Sequence, residues 1–268
     1  METIPQANTL TAPPPPTATV DPPLSPEVLN KLRTNPLLRL IDPRRLEQLA
    51  AKCVLTRFRA GRKVIREGDA ATDVHVLISG GVRVAHRAPG SEDGEAVVKL
   101  LGAPSIFGES EALMGIAALE SVVTVVPSEV IRIPRDQFDR TLRSEPRFAY
   151  GLVRDLIERL CIAREHERAL AFSPVESRLA SFLLDHAKLF SVQLQGGGLM
   201  LEVRLSQQLL ASSLAVSRKT INQTMRRWSD EGIIAKRRGR YVILDVAGLE
   251  KRAVSAHFGL AHRLRPAV

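Results

Sequence analysis

The sequence predicts an α+β chain in three successive parts: an N-terminal antiparallel β-roll, one long helix, and a C-terminal helix-turn-helix with a hairpin wing. Three observations carry this reading. Between Phe58 and Phe138, short β-branched runs alternate with glycine-bearing turns at spacings of roughly ten residues, the grammar of an antiparallel barrel or roll. From about Pro146 to Ala171 the apolar residues recur at 3-and-4 spacing, as on one side of a helix. The charge then changes: residues 1–173 hold 23 Lys+Arg against 22 Asp+Glu, a net of +1, whereas residues 174–268 hold 15 against 7, a net of +8. Nearly all of the formal +9 therefore sits in the last third, the footprint of a domain that meets a polyanion.

The totals suit a globular protein. At 268 residues, with 44% hydrophobic and 25% charged residues, the chain can bury one large core or two modest ones. No apolar run approaches the roughly 20 residues that span a bilayer, and no basic-then-apolar leader opens the sequence. The two cysteines, Cys53 and Cys161, lack C-x-x-C spacing, which argues against a disulfide framework, a zinc finger or a cysteine-held iron–sulfur cluster. These features predict a cytoplasmic protein with no membrane partner.

Residues 1–26 contain eight of the 17 prolines, including Pro13-Pro14-Pro15-Pro16, and are expected to form a disordered arm. Order should begin at Ser25-Pro26-Glu27, a serine cap with proline at the first helical position. Leu37, Leu40, Leu46, Leu49 and Val54 then give helical spacing over two short helices. In the roll, expected over 27–145, Val74, Val76 and Ile78 alternate, as do Val82 and Val84, with Gly80-Gly81 between the runs. Pro89-Gly90 and Asp93-Gly94 bracket a further hairpin loop. The helix at 146–172 carries Leu152, Val153, Leu156, Ile157, Leu160 and Ala163. That stripe is wider than a strict coiled-coil seam, so one edge can pack on the roll and the other on a twin helix, making this the expected dimerisation helix. Ser173-Pro174 breaks it. The DNA-binding domain is expected over 173–250, and 251–268 form a basic tail of unreadable purpose. Gly196-Gly197-Gly198 reads as a flexible connector.

The stretch "LSQQLLASSLAVSRKTINQTMRRWSDEGIIAKRRGRYVIL" carries the chemistry. Ser206 can cap a short helix with Leu209, Leu210 and Leu214 inward, and Ser217 can cap a second after the tight Ala215-Val216 link. On that second helix Ile221, Met225 and Trp228 point one way, while Arg218, Lys219, Asn222, Gln223 and Arg226 point the other. Arginine reads guanine, and asparagine or glutamine reads adenine, in the major groove of double-stranded DNA. Arg218, Lys219, Asn222 and Gln223 are the expected base contacts. Ser206, Arg226 and the hairpin tip Lys236, Arg237, Arg238 and Arg240 are the expected phosphate contacts.

Roll, long helix and winged helix-turn-helix together resemble the Crp–Fnr family of bacterial transcription regulators, whose sensor is a cyclic-nucleotide-binding β-roll. The resemblance covers about residues 30–250. It rests on Gly61, Gly68-Asp69, Gly80, Phe107-Gly108-Glu109, "LAF" at 170–172 and "VSRKTINQTMRRW". It implies a homodimer on a pseudo-palindromic DNA site, with RNA polymerase as a further partner. Arg218 matches the family's recognition arginine. Lys219 and Gln223 depart from a commonly acidic and a commonly basic position, so the half-site should differ from that of the cyclic-AMP receptor.

The resemblance also locates an effector pocket at Gly108, Glu109, Glu120, Ser121 and Arg164. In cyclic-AMP-binding relatives the glycine–glutamate pair meets the ribose and an arginine–serine pair meets the cyclic phosphate. Here Glu120 replaces that arginine, and a carboxylate repels a phosphate that arginine would hold. Cyclic AMP is therefore disfavoured, and no cofactor is certain. Another nucleotide such as a cyclic dinucleotide, another small molecule, or no ligand stay open. His75 and His86 read as packing residues rather than haem ligands. No Walker A, H-E-x-x-H, G-x-S-x-G or paired-carboxylate pattern points to an enzyme. The competing class is a ligand-sensing module without a direct DNA role, against which the basic recognition helix and wing weigh.

Overall fold

The computed structural model describes residues 19–20, 26–87 and 95–253. The remainder of the proline-rich arm, the Pro89–Gly94 loop and the tail after residue 253 lie outside the described residues. A short strand, β1 (Thr19–Val20), pairs antiparallel with β2 (Val54–Phe58). Helix α1 (Pro26–Thr34) begins on its proline, where the absent amide hydrogen is one the helix could not use. A 3-10 turn (Leu38–Leu40) and α2 (Pro43–Ala50) follow, the latter capped by Asp42 accepting from the Arg44 and Arg45 amides. Val54 does not continue this helical segment: it opens β2. Its run pairs with a partner strand along its whole length and fully buries Leu55, so sheet pairing overrides the 3-and-4 spacing.

The remaining strands of the roll are β3 (Lys63–Ile65), β4 (Asp73–Ser79), β5 (Gly81–Arg87), β6 (Glu95–Gly102), β7 (Ser105–Phe107), β8 (Ser121–Thr124) and β9 (Ser128–Pro134), with α3 (Glu109–Met114) inserted after β7. They form two antiparallel sheets, ordered β1-β2-β9-β4-β7 and β3-β8-β5-β6. The space between is filled by Leu77, Val82, Val84, Leu101, Phe107, Val122 and Val130. Gly80, alone between β4 and β5, carries the chain from one sheet to the other. Its φ is 84°, and a Cβ there would stand 2.3 Å from the Pro127 carbonyl oxygen, so only glycine fits.

α4 (Arg135–Ser144) and α5 (Pro146–Phe172) close one end of the roll. Phe138 and Phe148 meet edge to face at 5.7 Å inside a core that also takes Val28, Leu32, Leu38 and Leu152. The rest of α5 leaves the roll.

α6 (Val175–Leu189) begins after Ser173-Pro174. β10 (Ser191–Gln193) and β11 (Leu199–Leu201) then form a hairpin around the triple glycine. The expected flexible connector is thus a hairpin tip: all three glycines have positive φ, and the Leu194 amide donates to the Gly198 carbonyl at 3.0 Å. Strands of three residues are too short to show an alternation in sequence, and so were not foreseen. α7 (Gln207–Ser213), α8 (Arg218–Asp230), β12 (Ile234–Arg237), β13 (Arg240–Ile243) and α9 (Val246–Arg252) complete the domain, with sheet order β10-β11-β13-β12. Its core centres on the fully buried Trp228, with Leu179, Leu183, Leu210 and Ile221.

The two domains touch through β5, β6 and the turn after β8. Leu100 of β6, with Val125 and Val126, packs against the C-terminal core. The Val97 amide donates to Ser213 Oγ of α7 at 3.2 Å. The backbone of Gly81 lies so close to the Phe190 ring that a Cβ would come within 2.0 Å of it.

Candidate functional site

In the roll, the turn Phe107-Gly108-Glu109 is built by backbone geometry. Gly108 adopts a left-handed φ of 75°, ending β7 and starting α3 in a new direction. That turn drives Glu109 inward, leaving it 3% exposed. Arg159 of α5 donates from Nη1 to Glu109 Oε1 at 2.8 Å and pairs through Nη2 with Asp155 Oδ2 at 2.6 Å. Glu109 Oε2 is buried without a hydrogen-bond partner. Burial pushes the Glu109 carboxyl above the usual carboxylate range, against the pull of Arg159, its own backbone amide and Lys99.

Glu120 and Ser121 lie at the start of β8. Ser121 Oγ is buried and accepts from the Glu67 amide at 3.1 Å. Glu120 pairs with His86 Nε2 at 3.2 Å, and burial raises its pKa while His86 opposes the rise. Arg164 stands exposed on α5 and makes no ion pair with Glu109. The arginine that reaches the turn is Arg159, five residues earlier, and sequence reasoning did not single it out. Its signal was the i, i+4 pair with Asp155.

Lys99 was also missed, although it is the one charge in the run Ala96-Val97-Val98-Lys99-Leu100-Leu101. Burial lowers its pKa, and Arg159 lowers it further, while Glu109, Asp155 and Glu120 act the other way. His75 is buried and stacked on Phe107 at 5.2 Å between ring centroids, and desolvation takes its pKa down to about 4.

In the C-terminal domain, Ser206 Oγ accepts from the Leu209 amide at 3.0 Å and Ser217 Oγ from the Thr220 amide at 3.1 Å, so both helices begin on serine caps. Ala215 between them takes a φ of 51°, which makes the turn tight. α8 buries Ile221, Thr224, Met225 and Trp228. It leaves Arg218, Lys219, Asn222, Gln223 and Arg226 exposed along the other side. Gln207 Nε2 donates to Asn222 Oδ1 at 3.3 Å, linking the start of α7 to that face. Arg227 turns away to pair with Glu176 and Glu231. The wing joins Arg237 to Arg240 through Arg238 and Gly239, whose φ angles of 50° and 79° make a two-residue hairpin turn with both central residues left-handed. Lys236, Arg237 and Arg238 are exposed and Arg240 half-buried, with Lys236 Nζ 5.5 Å from the Tyr241 ring centroid.

The stripe on α5 divides. Leu152 is buried and Leu156 packs partly on the roll core. Val153, Ile157 and Leu160 are 50%, 55% and 51% exposed, and Ala163 is exposed with them.

A family model of the cyclic nucleotide-binding domain matches residues 55–145, and one of the Crp-like helix-turn-helix domain matches residues 177–252. The chain is 26% identical over 213 residues to a CRP-like cAMP-activated global transcriptional regulator of Mycobacterium tuberculosis, covering 80% of this chain and 94% of that one. It is also 26% identical over 230 residues to the cyclic AMP receptor protein of Thermus thermophilus, covering 86% and 100%. Among solved structures, a CRP-family transcriptional regulator from Thermus thermophilus superposes with a TM-score of 0.61 at 25% identity, covering 74% and 95%. The c-di-GMP-responsive global regulator CLP of Xanthomonas campestris shares the fold, with a TM-score of 0.64 at 23% identity over 75% and 99%.

Proposed function

This chain belongs to the Crp–Fnr family of bacterial transcription regulators, and we propose that it acts as a homodimer on a pseudo-palindromic DNA site under control of its β-roll. The observation that carries the reading is α8. A helix whose one side is locked into a core by Ile221, Met225 and Trp228 holds Arg218, Lys219, Asn222 and Gln223 in fixed presentation on the other. Such a face can enter a major groove, while Ser206, Arg226 and the wing cations meet phosphates on either side. Two copies related by a two-fold axis would place these helices in half-sites about one DNA turn, roughly 34 Å, apart. RNA polymerase is the further partner in this reading, and the protein is a regulator rather than an enzyme.

Mobility-shift assays across a salt series test it, using a site selected from random DNA. We expect log K to fall with log salt at a slope steeper than about −4, with specific DNA bound at least about 10³-fold more tightly than random DNA. Equal affinity for both DNAs would defeat the proposal.

Cyclic AMP is not the effector in this reading, because Glu120 stands where cyclic-AMP-binding relatives carry the phosphate-binding arginine. The similar regulators named above differ in what they answer to, cAMP in one case and c-di-GMP in another, so the fold does not dictate the signal. Calorimetry with cyclic AMP is expected to give a Kd weaker than about 100 μM, a loss in keeping with a missing charge-assisted contact.

A further inference from the structure

Gln207 and Asn222 stand on different helices and touch. Gln207 is the first residue of α7 and half-buried, next to the Ser206 cap whose Oγ accepts from the Leu209 amide at 3.0 Å. Asn222 is exposed on α8, one turn beyond Arg218 on the same side of the helix. Gln207 Nε2 donates to Asn222 Oδ1 at 3.3 Å. Both backbones are held, because α7 buries Leu210 and Ala211 and α8 buries Ile221 and Met225 in one core. The bond joins two side chains on a rigid frame. It is the only hydrogen bond that either side chain makes among the described residues.

A free asparagine amide turns readily, because its terminal torsion is broad and two-fold. Its two ends are not equivalent: Oδ1 accepts and Nδ2 donates. Gln207 offers a donor, so it selects the rotamer with Oδ1 toward α7. A carbonyl oxygen has two lone pairs, which leaves Oδ1 one further bond and both Nδ2 hydrogens unused. An acceptor beside a donor matches adenine, whose major-groove edge carries the N6 donor next to the N7 acceptor. Guanine presents two acceptors there, so its O6 would meet Oδ1 lone pair against lone pair. A free amide could turn Nδ2 toward O6 and accept guanine. A held amide does so only by giving up the Gln207 bond.

We propose that Gln207 is a specificity-determining positioning residue: it orients Asn222 to read adenine and reject guanine at one position of each half-site. The proposal rests on the reading of α8 as the helix that enters the major groove. It deepens that reading with a residue of the preceding helix that acts through Asn222 and not on DNA directly.

Site selection from random DNA, followed by mobility shifts on matched sites differing at one position, tests this with the full-length protein. Asn222→Ala identifies the position as the one where adenine preference is lost. There the parent should favour adenine over guanine by at least about tenfold. Gln207→Ala and Gln207→Glu should each bring that ratio below about threefold, while the other positions keep theirs. Glutamate keeps the shape of glutamine but has no N–H to donate, and its charge would weaken both sites alike without moving the ratio. In the Asn222→Ala background, Gln207→Ala should change affinity for the selected site by less than about twofold, because nothing remains to be positioned. The role is refuted if either Gln207 variant keeps the tenfold ratio or if Asn222→Ala loses no adenine preference. It is equally refuted if Gln207→Ala weakens the Asn222→Ala protein further, since Gln207 would then meet DNA itself. Specific binding by the parent alongside any of these results refutes the Gln207 role alone. A parent that prefers no DNA site refutes the regulator and this role together.

Discussion

His186 lies on α6 with its ring against Phe182, and its Nδ1–H donates to the Phe182 carbonyl at 2.7 Å. Desolvation takes its pKa down to about 4, and His75 in the roll is depressed to the same value by the same cause. In the unfolded chain a histidine takes up its proton near pH 6.5. Below that pH the unfolded state binds protons that the folded state refuses, so stability falls from about pH 6.5 and the loss saturates near pH 4. Each histidine can remove up to about 3 kcal/mol over that window. Thermal melts of the parent protein and of His186→Leu between pH 7 and 4.5 should show the variant losing less of its midpoint on acidification. Parallel curves would refute the assignment. Single residues are also where sequence reading is weakest. Glu109 stood out beside Gly108, but the partner that fixes it sits fifty positions away on α5, and only the folded chain selects Arg159 over Arg164. Lys99 looked like an interruption in a strand, because nothing local says which face of β6 is enclosed.

α8 and the wing were legible as elements, since a capped helix with one apolar side and a hairpin with a basic tip each announce themselves within a short window. The β10–β11 hairpin was not, because three-residue strands show no alternation, and the start of β2 was not, because the strand it pairs with, β9, is distant in sequence. These two elements, proposed to meet DNA, should also fail differently when altered. In the proposed DNA complex Arg218 offers a donor pair to a base edge, so Arg218→Ala should cost about 1–3 kcal/mol on the selected site and little on random DNA. Arg238 must be probed with care, because its left-handed φ makes it part of the turn as well as a cation. Arg238→Asn keeps a residue that tolerates that conformation and removes the charge. It should weaken specific and random DNA alike and reduce the salt slope by about 1 per protomer, without lowering the thermal midpoint. Mobility shifts on both DNAs, with melts alongside, distinguish these outcomes.

At the scale of the whole molecule, three features converge on β6 and α5. β6 carries Lys99 on its inner face, Leu100 against the C-terminal core, and the Val97 amide bonded to α7. α5 holds the Gly108-Glu109 turn through Arg159 and leaves Val153, Ile157 and Leu160 uncovered along its outer side. A stripe of half-exposed aliphatic residues at 3-and-4 spacing is what a second copy of the same helix would cover, and each side chain so buried contributes on the order of 1 kcal/mol. In a two-fold dimer each substitution acts twice, once from each partner. Ile157→Glu with Leu160→Glu would set four carboxylates against one another on that seam while leaving Leu152 and the roll core intact. The doubly substituted protein should sediment as a folded monomer and the parent as a dimer. Its affinity for a full palindrome should fall to near that for a half-site, because the second recognition helix is no longer tethered beside the first. Unchanged sedimentation would place the dimer contact elsewhere, and a monomer that kept full affinity for the palindrome would show that one winged domain suffices.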